Sequence, residues 1–295
     1  MITTKCGFVA TVGRPNAGKS SLLNWLVGEK ITMVSHKANA TRKRSNVIVM
    51  SGDDQIVFVD TPGLHEKEKL INQYMLEEAL KAIGDCDLIL FLAPVTDKIC
   101  HYEDFLGRNK KNTPHILLLT KTDFVSEEEV FDKMKEYSKY EDKYESLITV
   151  SIKKGRKQQD ILDAIVKHLP TSPPLFDTEI MTTSHLRELF KEFIRESVFD
   201  NISDEIPYEA DVVIDRVEEK ENIDVIKATI IVEKSSQKGM IIGKGATAIK
   251  RIGYNARKKI ERLTQKKAYL ELFVSVKKGW SKNKSSLSEM GYNFD

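Results

Sequence analysis

The sequence predicts an α/β domain with a mostly parallel sheet, followed by a smaller α+β domain. Up to residue 169, short apolar runs alternate with segments of helical spacing, as they do in right-handed βαβ units. Beyond residues 170–174, which hold three of the eight prolines, the predicted order changes to α-β-β-α-α-β. The chain has 295 residues, 41% of them hydrophobic, which suffices for two domains with separate cores.

Residues 13–20 form the first sequence motif that indicates a binding site. Their sequence, Gly-Arg-Pro-Asn-Ala-Gly-Lys-Ser, fits the motif G-x-x-x-x-G-K-[ST]. The pattern follows a predicted buried strand at residues 7–12 and opens a predicted helix, which is the setting of a phosphate-binding P-loop. Its two glycines let backbone N–H groups turn onto phosphate oxygens. Lys19 can reach the β- and γ-phosphates, and the Ser20 hydroxyl can ligate Mg²⁺. A chance match in a flexible glycine loop is the alternative, which the flanking strand and helix disfavour. The predicted contacts are Gly13, Arg14, Pro15, Asn16, Ala17, Gly18, Lys19, Ser20 and Ser21.

The rest of the first domain is predicted from apolar periodicity. Two runs at 46–50 and 55–59 predict a β-hairpin with a polar turn between them. Ser126 precedes three glutamates, a combination typical of a helix start. The predicted helices are 70–83, 99–110, 126–140 and 157–169, and the predicted strands between them are 87–92, 115–119 and 147–150.

The second domain is predicted to start with a helix at 184–199, followed by strands at 209–217 and 223–232. A helical segment interrupted by glycines, 239–265, and a strand at 268–276 complete it. We therefore place the first domain at 1–170, a linker at 171–183 and the second domain at 184–295.

Charge is distributed unevenly along the chain. Residues 234–284 contain 15 Lys and Arg against two Glu, a net charge of +13, whereas the whole chain carries only +2. The remaining residues therefore carry −11. A basic region of this size indicates a polyanionic partner.

The three cysteines, Cys6, Cys86 and Cys100, have no metal-binding spacing and lie in apolar surroundings. We expect buried free thiols in a reducing compartment. The N-terminal residues lack the pattern of a signal peptide, and no apolar run reaches ~18 residues, so no transmembrane helix is expected.

Residues 60–63, Asp-Thr-Pro-Gly, follow the hairpin at a strand end, where phosphate and metal sites of open α/β sheets lie. Asp60 can hold Mg²⁺ through water, and the N–H of Gly63 can sense a γ-phosphate. Thr41, in the polar segment 35–44, is the candidate second protein ligand of the metal. The alternatives are an ordinary turn and a solvated loop threonine. The predicted nucleotide contacts here are Asp60, Thr61, Pro62, Gly63 and Leu64.

Base recognition is predicted at residues 120–123, Thr-Lys-Thr-Asp, directly after the strand 115–119. The Asp123 carboxylate can accept both N1–H and N2–H of guanine. Adenine presents an acceptor at N1, which would leave the carboxylate unpaired. The stem of Lys121 can cover the base plane. A capped loop that leads into the next helix is the alternative.

These patterns, together with Ser151-Ile152-Lys153, resemble in content and order the five signature elements of the Ras-like GTPases, which surround GTP and Mg²⁺. Thr120 stands where that family usually has Asn, and Ile152 where it usually has Ala. Losing one hydrogen bond of the Asn costs roughly 0.5–1.5 kcal/mol, so we expect modest affinity with the guanine preference retained. The resemblance implies base contacts from Thr120, Lys121, Asp123, Ser151, Ile152 and Lys153, and metal ligands Ser20, Thr41 and Asp60.

GTP hydrolysis is predicted to be slow unaided. Leu64 stands where many small GTPases carry a Gln that orients the attacking water, so hydrolysis must rely on positioning and electrostatics. Asn16 has two open interpretations: similar GTPases use it to ligate K⁺, whose charge replaces an arginine finger, or it only holds the loop. The predicted catalytic residues are Lys19, Asn16, Thr41 and Gly63, with Mg²⁺ as cofactor and K⁺ as a further candidate.

Residues 239–253 resemble the helix-loop-helix of a KH domain, whose GxxG loop clamps a nucleic-acid backbone while bases lie on an apolar groove. Ala246 replaces the last Gly of that loop. The isoleucines of this segment could serve the core, the groove floor or both. A solvated helix surface is the alternative for the basic residues, and the net charge of +13 disfavours it. The predicted RNA contacts are Gly239, Ile241, Ile242, Gly243, Lys244, Gly245, Ala246, Lys250, Arg251, Arg257 and Lys258.

A Ras-like G domain followed by a type II KH domain resembles the Era family of bacterial GTPases, a branch of the TrmE-Era-EngA-Septin-like GTPases. The resemblance covers almost the whole chain, including Leu169-Pro170, residues 205–208 and the tail from Trp280 to Tyr292. It implies binding to the 3′ end of 16S rRNA, assistance in 30S subunit maturation, a cytoplasmic location with peripheral association with the inner membrane, and no DNA target.

Two alternatives remain at this point. One is a membrane-surface or cell-cycle signalling GTPase, which would need a basic amphipathic helix with large apolar residues; the glycine-interrupted helices disfavour it. The other is a nucleotide-gated RNA-binding module with negligible hydrolysis, which Leu64 leaves open.

Overall fold

The computed structural model describes residues 3–34, 41–63, 70–155, 157–202 and 206–292. The described residues divide into two compact units. The first holds residues 3–32, 41–63 and 75–183. The second holds Met33, Val34, residues 70–74 and residues 184–292.

The first unit is built on a six-stranded sheet with the order β2-β3-β1-β4-β5-β6. All neighbours are parallel except β2, which is antiparallel to β3. Every residue of β4 and β5 is buried, as expected for parallel strands covered on both faces. The strands are β1 (Cys6–Val12), β2 (Ser45–Ser51), β3 (Asp54–Asp60), β4 (Leu88–Pro94), β5 (His115–Thr120) and β6 (Ser146–Thr149). The predicted α/β fold is thus confirmed.

Helices cover both faces of this sheet. Leu22 of α1 and Ile161 of α5 pack into the core on one face, and Phe105 of α3 and Tyr137 of α4 pack into the core on the other. The helices are α1 (Lys19–Val27), α2 (Leu70–Asp85), α3 (Cys100–Arg108), α4 (Glu127–Ser138) and α5 (Gln158–His168). The predicted helix start at Ser126 is confirmed, because its side chain and that of Glu129 form a capping box.

Residues 171–183 pack along the first unit. The backbone N–H of Cys6 donates to Pro170, and Val47 forms an isolated bridge with Thr182. The buried side chain of Gln55 accepts hydrogen bonds from two successive backbone N–H groups, those of residues 175 and 176, at 2.8 and 3.0 Å. The predicted linker therefore lies against the sheet. The division of the chain at 1–170, 171–183 and 184–295 stays a prediction.

The second unit has the predicted order of elements. Its sheet has β8 in the centre, antiparallel to β7 and parallel to β9, and its helices share one core with that sheet. The elements are α6 (Leu186–Asn201), β7 (Ala210–Glu219), β8 (Ile223–Val232), α7 (Ser235–Ile242), α8 (Thr247–Thr264) and β9 (Lys267–Val276). Helix α7 begins four residues before the predicted start at 239. The reason is Gln237, whose side chain accepts from the N–H groups of Glu233 and Lys234 and caps the first turn.

The C-terminal tail forms a 3₁₀ turn (Trp280–Lys282) and a short helix, α9 (Lys284–Glu289), which the sequence analysis did not predict as elements. Trp280 is fully buried, and its indole N–H donates to the carbonyl of Glu209 at 3.2 Å. The hydroxyl of buried Tyr292 donates to Asp211 at 2.8 Å. The tail is therefore part of the structure of the second unit.

The prediction of three buried thiols is wrong for Cys100. Cys6 is buried and Cys86 half-buried, but Cys100 is exposed because it lies at the first position of α3, on the side of the helix away from buried Tyr102. Among the residues that the structure describes, no helix combines the length and apolar character needed to cross a bilayer.

Candidate functional site

The predicted nucleotide contacts meet at one edge of the first sheet. In the parallel register Thr11 of β1 lies beside Asp60 of β3, and Pro94 of β4 lies beside Thr120 of β5. The carboxyl ends of these strands therefore coincide, and the loops that follow them share one crevice. Open α/β sheets bind ligands at this edge.

The P-loop, residues 13–20, connects β1 to α1. Gly18 adopts a left-handed conformation (φ +99°) directly before the helix, and Asn16 adopts one as well (φ +62°). Ala17, within the loop, is fully buried, and Ser21 lies in the first turn of α1. The start of α1 at Lys19 leaves its first N–H groups without partners inside the helix, which is a favourable site for phosphate oxygens.

The ammonium of Lys19 is held inside this loop, where it donates to the carbonyls of Gly13 at 3.1 Å and Arg14 at 3.2 Å. Burial lowers the pKa of Lys19 from its ordinary value of 10.5 to about 8, while Asp60 acts in the opposite direction and Arg14 adds to the lowering. The side chain is only 7% exposed. A phosphate group bound here would supply the counter-charge that the buried ammonium lacks.

The lowered pKa of Lys19 predicts that nucleotide affinity falls as the pH rises through 8. Phosphate binds the charged ammonium, and deprotonation in the empty site competes with binding. The Kd for GDP should rise by about threefold between pH 7.5 and pH 8.5, as measured by titration calorimetry. Lys19→Arg keeps its charge over this range and serves as the control. A wild-type Kd that stays constant over this interval would contradict the prediction.

The three predicted metal ligands lie together. Ser20 Oγ is 3.0 Å from Asp60 Oδ2 and 3.1 Å from Thr41 Oγ1, and the Thr41 hydroxyl is 3.4 Å from the same Asp60 oxygen. Two hydroxyls and a carboxylate are hard oxygen donors of the kind that Mg²⁺ prefers. The donor set therefore fits Mg²⁺, and the position of Thr41 at this cluster disfavours the alternative of a solvated loop threonine.

Gly63 approaches the P-loop closely. A Cβ built on Gly63 would lie 2.8 Å from the backbone nitrogen of Pro15, so any side chain would displace the loop. Thr61 is fully buried, and its hydroxyl donates to the carbonyl of Thr11 on β1. Pro62 is buried between them. Leu64, the remaining predicted contact of this turn, lies outside the described residues.

The base-recognition loop, residues 120–123, contacts the P-loop directly. The Lys121 ammonium donates to the carbonyl of Asn16 at 2.8 Å, and the Thr120 hydroxyl donates to the carbonyl of Ala17 at 3.3 Å. Thr120 therefore keeps a hydrogen bond to the P-loop at the position where the Ras-like family usually has Asn. The loss of affinity expected from having Thr in place of Asn therefore concerns only the hydrogen bond to the guanine base.

Asp123 is oriented by a neighbour from another loop. The Ser151 hydroxyl donates to Asp123 Oδ1 at 2.7 Å, and this hydrogen bond lowers the pKa of Asp123 below its ordinary value. Asp123 is thus an ionised acceptor for two N–H groups, as recognition of guanine requires. Ile152 packs against the core, and Lys153 is exposed beside the loop.

The second unit contains the KH loop, residues 243–246, between α7 and α8. Gly243 has φ +72°, and a Cβ there would lie 2.9 Å from the backbone nitrogen of Ala248. Gly245 has φ +60° with open space around it. The loop thus brings the two helix ends together while its outer side stays accessible. The exposed predicted RNA contacts are Gly239, Lys244, Gly245, Lys250, Arg251 and Lys258, and Arg257 is half-buried.

Ala246, where a KH loop ends in Gly, adopts a left-handed conformation with φ +60°. That conformation costs an L-residue about 1–2 kcal/mol. Ala246→Gly should therefore raise the free energy of unfolding by about 0.5–1 kcal/mol, after the larger entropy of the unfolded glycine chain is subtracted. Urea denaturation measures the change. Gly245→Ala, in the same loop and the same conformation, should lower stability, and an Ala246→Gly protein no more stable than wild type would show that Ala246 is unstrained.

The isoleucines of the KH segment divide between core and groove. Ile241 and Ile252 are fully buried in the core of the second unit, so the side chain of Ile241 is packed inside and does not reach the surface. Ile242 and Ile249 are half-buried, and Ile249 lines a cavity of about 370 Å³ between α8 and β9. We call this cavity the KH groove.

Two tyrosines that the sequence analysis did not select line the KH groove. Tyr254 is 54% exposed and Tyr269 is 56% exposed. The cations of Arg257 and Lys258 lie 5.8 and 5.6 Å from the ring centroid of Tyr254. The alternation of Tyr254 with basic residues was the available signal, whereas Tyr269 reaches the groove only because β9 is the edge strand. The wall is formed by Ile249, Lys250, Gly253, Tyr254, Arg257, Tyr269, Leu270 and Leu272.

Comparison with known proteins gives matches for both units. Residues 8–121 match a family model described as 50S ribosome-binding GTPase, and residues 205–281 match the KH domain model. GTPase Era of Campylobacter concisus is 51% identical over 289 residues, which cover 98% of this chain and 100% of the relative.

Two crystal structures superpose on nearly the whole chain, each with a TM-score of 0.94 and 32% identity. One is a variant of Aquifex aeolicus Era bound to GDP and AlF4⁻, with 98% of this chain and 100% of that chain covered. The other is Era in complex with MgGDPNP and nucleotides 1506–1542 of 16S ribosomal RNA, with 99% of this chain and 100% of that chain covered.

Proposed function

Because the chain belongs to the Era family of GTPases, we propose that it is a GTP-hydrolysing switch that binds single-stranded 16S rRNA near its 3′ end and assists maturation of the 30S ribosomal subunit. The observation that carries the proposal is the convergence of Ser20, Thr41 and Asp60 beside the P-loop of a chain that also contains a KH loop. GTP, Mg²⁺ and RNA are the ligands that follow from it.

The chain's own residues would act on the phosphates mainly by position and charge. The ammonium of Lys19 and the N–H groups of the P-loop would stabilise the negative charge of the phosphates as the γ-phosphoryl group transfers to water. Ser20, Thr41 and Asp60 would hold Mg²⁺, which when bound neutralises charge on the β- and γ-phosphates. The close contact of Gly63 with Pro15 would make the following segment sensitive to the γ-phosphate.

We propose further that Asn16 contributes to a K⁺ site. The support for this proposal is that Asn16 has a left-handed backbone within the P-loop and that its own carbonyl accepts a hydrogen bond from the Lys121 ammonium, which fixes its position. GTP turnover should then be faster in K⁺ than in Na⁺, and Asn16→Ala should remove that difference while GDP affinity stays within about twofold. Equal rates of the wild-type protein in the two salts would leave Asn16 as a structural residue.

The coupling between nucleotide and RNA is proposed to run through chain segments that leave the nucleotide site and join the second unit. The backbone N–H of Val34 donates to the Glu196 carboxylate on α6 at 3.4 Å. The same carboxylate forms an ion pair with Lys259 on α8 at 3.0 Å. Met33 contacts the fully buried guanidinium of Arg195. Helix α8 begins at the KH loop, so a displacement of residues 33–34 would be transmitted to it.

RNA binding is tested at Lys244, which is exposed at the tip of the KH loop. Lys244→Glu removes one phosphate contact and adds a repulsive charge, so the Kd for a single-stranded 16S 3′-end oligonucleotide should rise by about tenfold. The slope of log Kd against log salt should fall by about 0.7 for the lost contact. Gly243→Asp should weaken binding as well, although the clash with Ala248 makes it the less specific variant.

Lys139→Glu, in the first unit, changes the net charge by the same amount at an exposed position and serves as the control. Equal RNA affinities of the Lys244→Glu and Lys139→Glu proteins would place the RNA site elsewhere. GTP turnover measured with and without the same RNA tests the hydrolysis part of the proposal. No turnover under any condition would favour a nucleotide-gated RNA-binding module.

A cytoplasmic location with peripheral association with the inner membrane completes the proposal, on the basis of the family alone. Cell fractionation tests it. Recovery of the protein from the membrane fraction after a high-salt wash would argue against a peripheral, charge-dependent association.

A further inference from the structure

Arg14 of the P-loop forms a two-pronged ion pair that none of the nucleotide-binding patterns includes. Its Nε donates to Asp97 Oδ2 at 2.6 Å, and its Nη2 lies 2.5 Å from Asp97 Oδ1. The Asp97 side chain is only 3% exposed, whereas that of Arg14 is 36% exposed. The Nε–Oδ2 contact is a charge-assisted hydrogen bond, whereas the Nη2–Oδ1 contact is an ion pair without hydrogen-bond geometry. The two contacts hold Arg14 against a buried carboxylate, so Asp97 determines where Arg14 can lie.

The turn that carries Asp97 is itself anchored to the sheet. Asp97 donates its backbone N–H to the carbonyl of Pro94 at 2.8 Å, and Val95 donates its N–H to the carbonyl of Thr120 at 2.9 Å. Thr120 begins the base-recognition loop. The P-loop is therefore fixed to one rigid edge at two points: at Arg14 through Asp97, and at Asn16 through Lys121.

We propose that Asp97 is a positioning residue for the nucleotide, which acts through Arg14 to hold the P-loop in its phosphate-binding conformation before the nucleotide arrives and to slow nucleotide release. The proposal rests on the proposed GTP-binding function of this site. The P-loop contains a left-handed Asn16 and a left-handed Gly18, a conformation that must be maintained while Lys19 has no phosphate partner. An anchored loop loses less conformational freedom on binding than a free one.

An effect of Asp97 through its charge alone would change nucleotide affinity in the opposite direction. The direction of the change on removing Asp97 therefore tests the proposal. Arg14, Lys19 and Lys121 are cations of the P-loop and the adjoining loop, and the Asp97 carboxylate partly offsets the charge of Arg14 and Lys121. If Asp97 acted only through its charge, its removal would strengthen the binding of an anionic nucleotide. If it acts by positioning, its removal weakens binding.

The test is the dissociation rate of a fluorescent GDP analogue from the full-length protein with Mg²⁺. Asp97→Asn keeps the shape of the side chain and should raise this rate by about tenfold, while the single-turnover rate of bound GTP stays within about twofold. Arg14→Lys keeps the positive charge but lacks the guanidinium nitrogens that contact both oxygens of Asp97, so it should raise the dissociation rate similarly. Because the two residues act as one unit, the double variant should release the analogue no faster than either single variant.

Asp104→Asn, the same change at an exposed position on α3, is the control, and thermal denaturation of each variant separates positioning from loss of fold. Release that is unchanged or slower in both Asp97→Asn and Arg14→Lys would overturn the proposal, as would additive effects in the double variant. Arg14→Lys decides the matter if Asp97→Asn does not fold. Failure of the wild-type protein to bind the analogue at all would instead refute the GTP-binding function.

Discussion

Replacing Lys19 with alanine is expected to weaken GTP and GDP binding by about 10³-fold, while binding of a single-stranded RNA to the same full-length protein persists. The ammonium lies inside the P-loop and would contact two phosphates, and hydrogen bonds that involve charged groups contribute about 1.5–3 kcal/mol each. Two such contacts account for an effect of this size. Equilibrium binding of a fluorescent GDP analogue and of a labelled RNA oligonucleotide measures both parts.

The control for Lys19→Ala is Lys139→Ala, which removes a positive charge from an exposed position. It should leave both affinities within about twofold of wild type. GTP affinity that is unchanged in the Lys19→Ala protein would refute the assignment of residues 13–20 as the phosphate site. Circular dichroism before the titrations excludes unfolding as the cause of any loss.

Asp123→Asn is expected to reverse base preference from guanosine to xanthosine nucleotides. The carboxylate accepts N1–H and N2–H of guanine, whereas an amide offers a donor that suits the extra carbonyl of xanthine at C2. A site built around a hydrogen-bonding group rejects the analogue that leaves this group unpaired by about 10⁴-fold or more. We therefore expect the ratio of GDP affinity to XDP affinity to fall by at least about 10³-fold, measured by competition against one fluorescent nucleotide.

Ser151→Ala provides a graded comparison with Asp123→Asn. It removes the hydrogen bond that holds Asp123 Oδ1 and lowers its pKa, so GDP affinity should fall by about fivefold while guanine stays preferred. Guanine selectivity that is retained in the Asp123→Asn protein would show that another group recognises the base.

The local patterns of the sequence were sufficient for most of the first unit. Alternating strands and helices, the P-loop and the acidic residue at the end of β3 predict where Ser20 and Asp60 lie, because parallel strands bring their carboxyl ends to one edge. Those patterns do not predict that Thr120 forms a hydrogen bond with the P-loop. Whether a threonine hydroxyl still reaches the carbonyl of Ala17 depends on the distance between two loops that are 103 residues apart.

Features that depend on tertiary contacts were missed for the same reason. Asp97 belongs to no recognised pattern, and only the fold places it against Arg14. Tyr269 contributes to the KH groove because β9 is an edge strand beside α8, which strand periodicity does not reveal. Ala246 was noted as a departure from the glycine of the KH loop, but its left-handed conformation is visible only in the backbone.

The central claim is that the bound nucleotide, GTP or GDP, controls the affinity of the KH loop for RNA. One measurement tests it most directly. The Kd for a single-stranded 16S 3′-end oligonucleotide is determined for the full-length protein saturated with Mg²⁺ and either GDP or the non-hydrolysable GDPNP. Allosteric coupling typically changes affinity by about 5- to 150-fold, so we predict at least a fivefold difference in RNA Kd, with RNA changing the ratio of GDPNP to GDP affinity by the same factor. RNA affinities that agree within error for the two nucleotides would contradict the account.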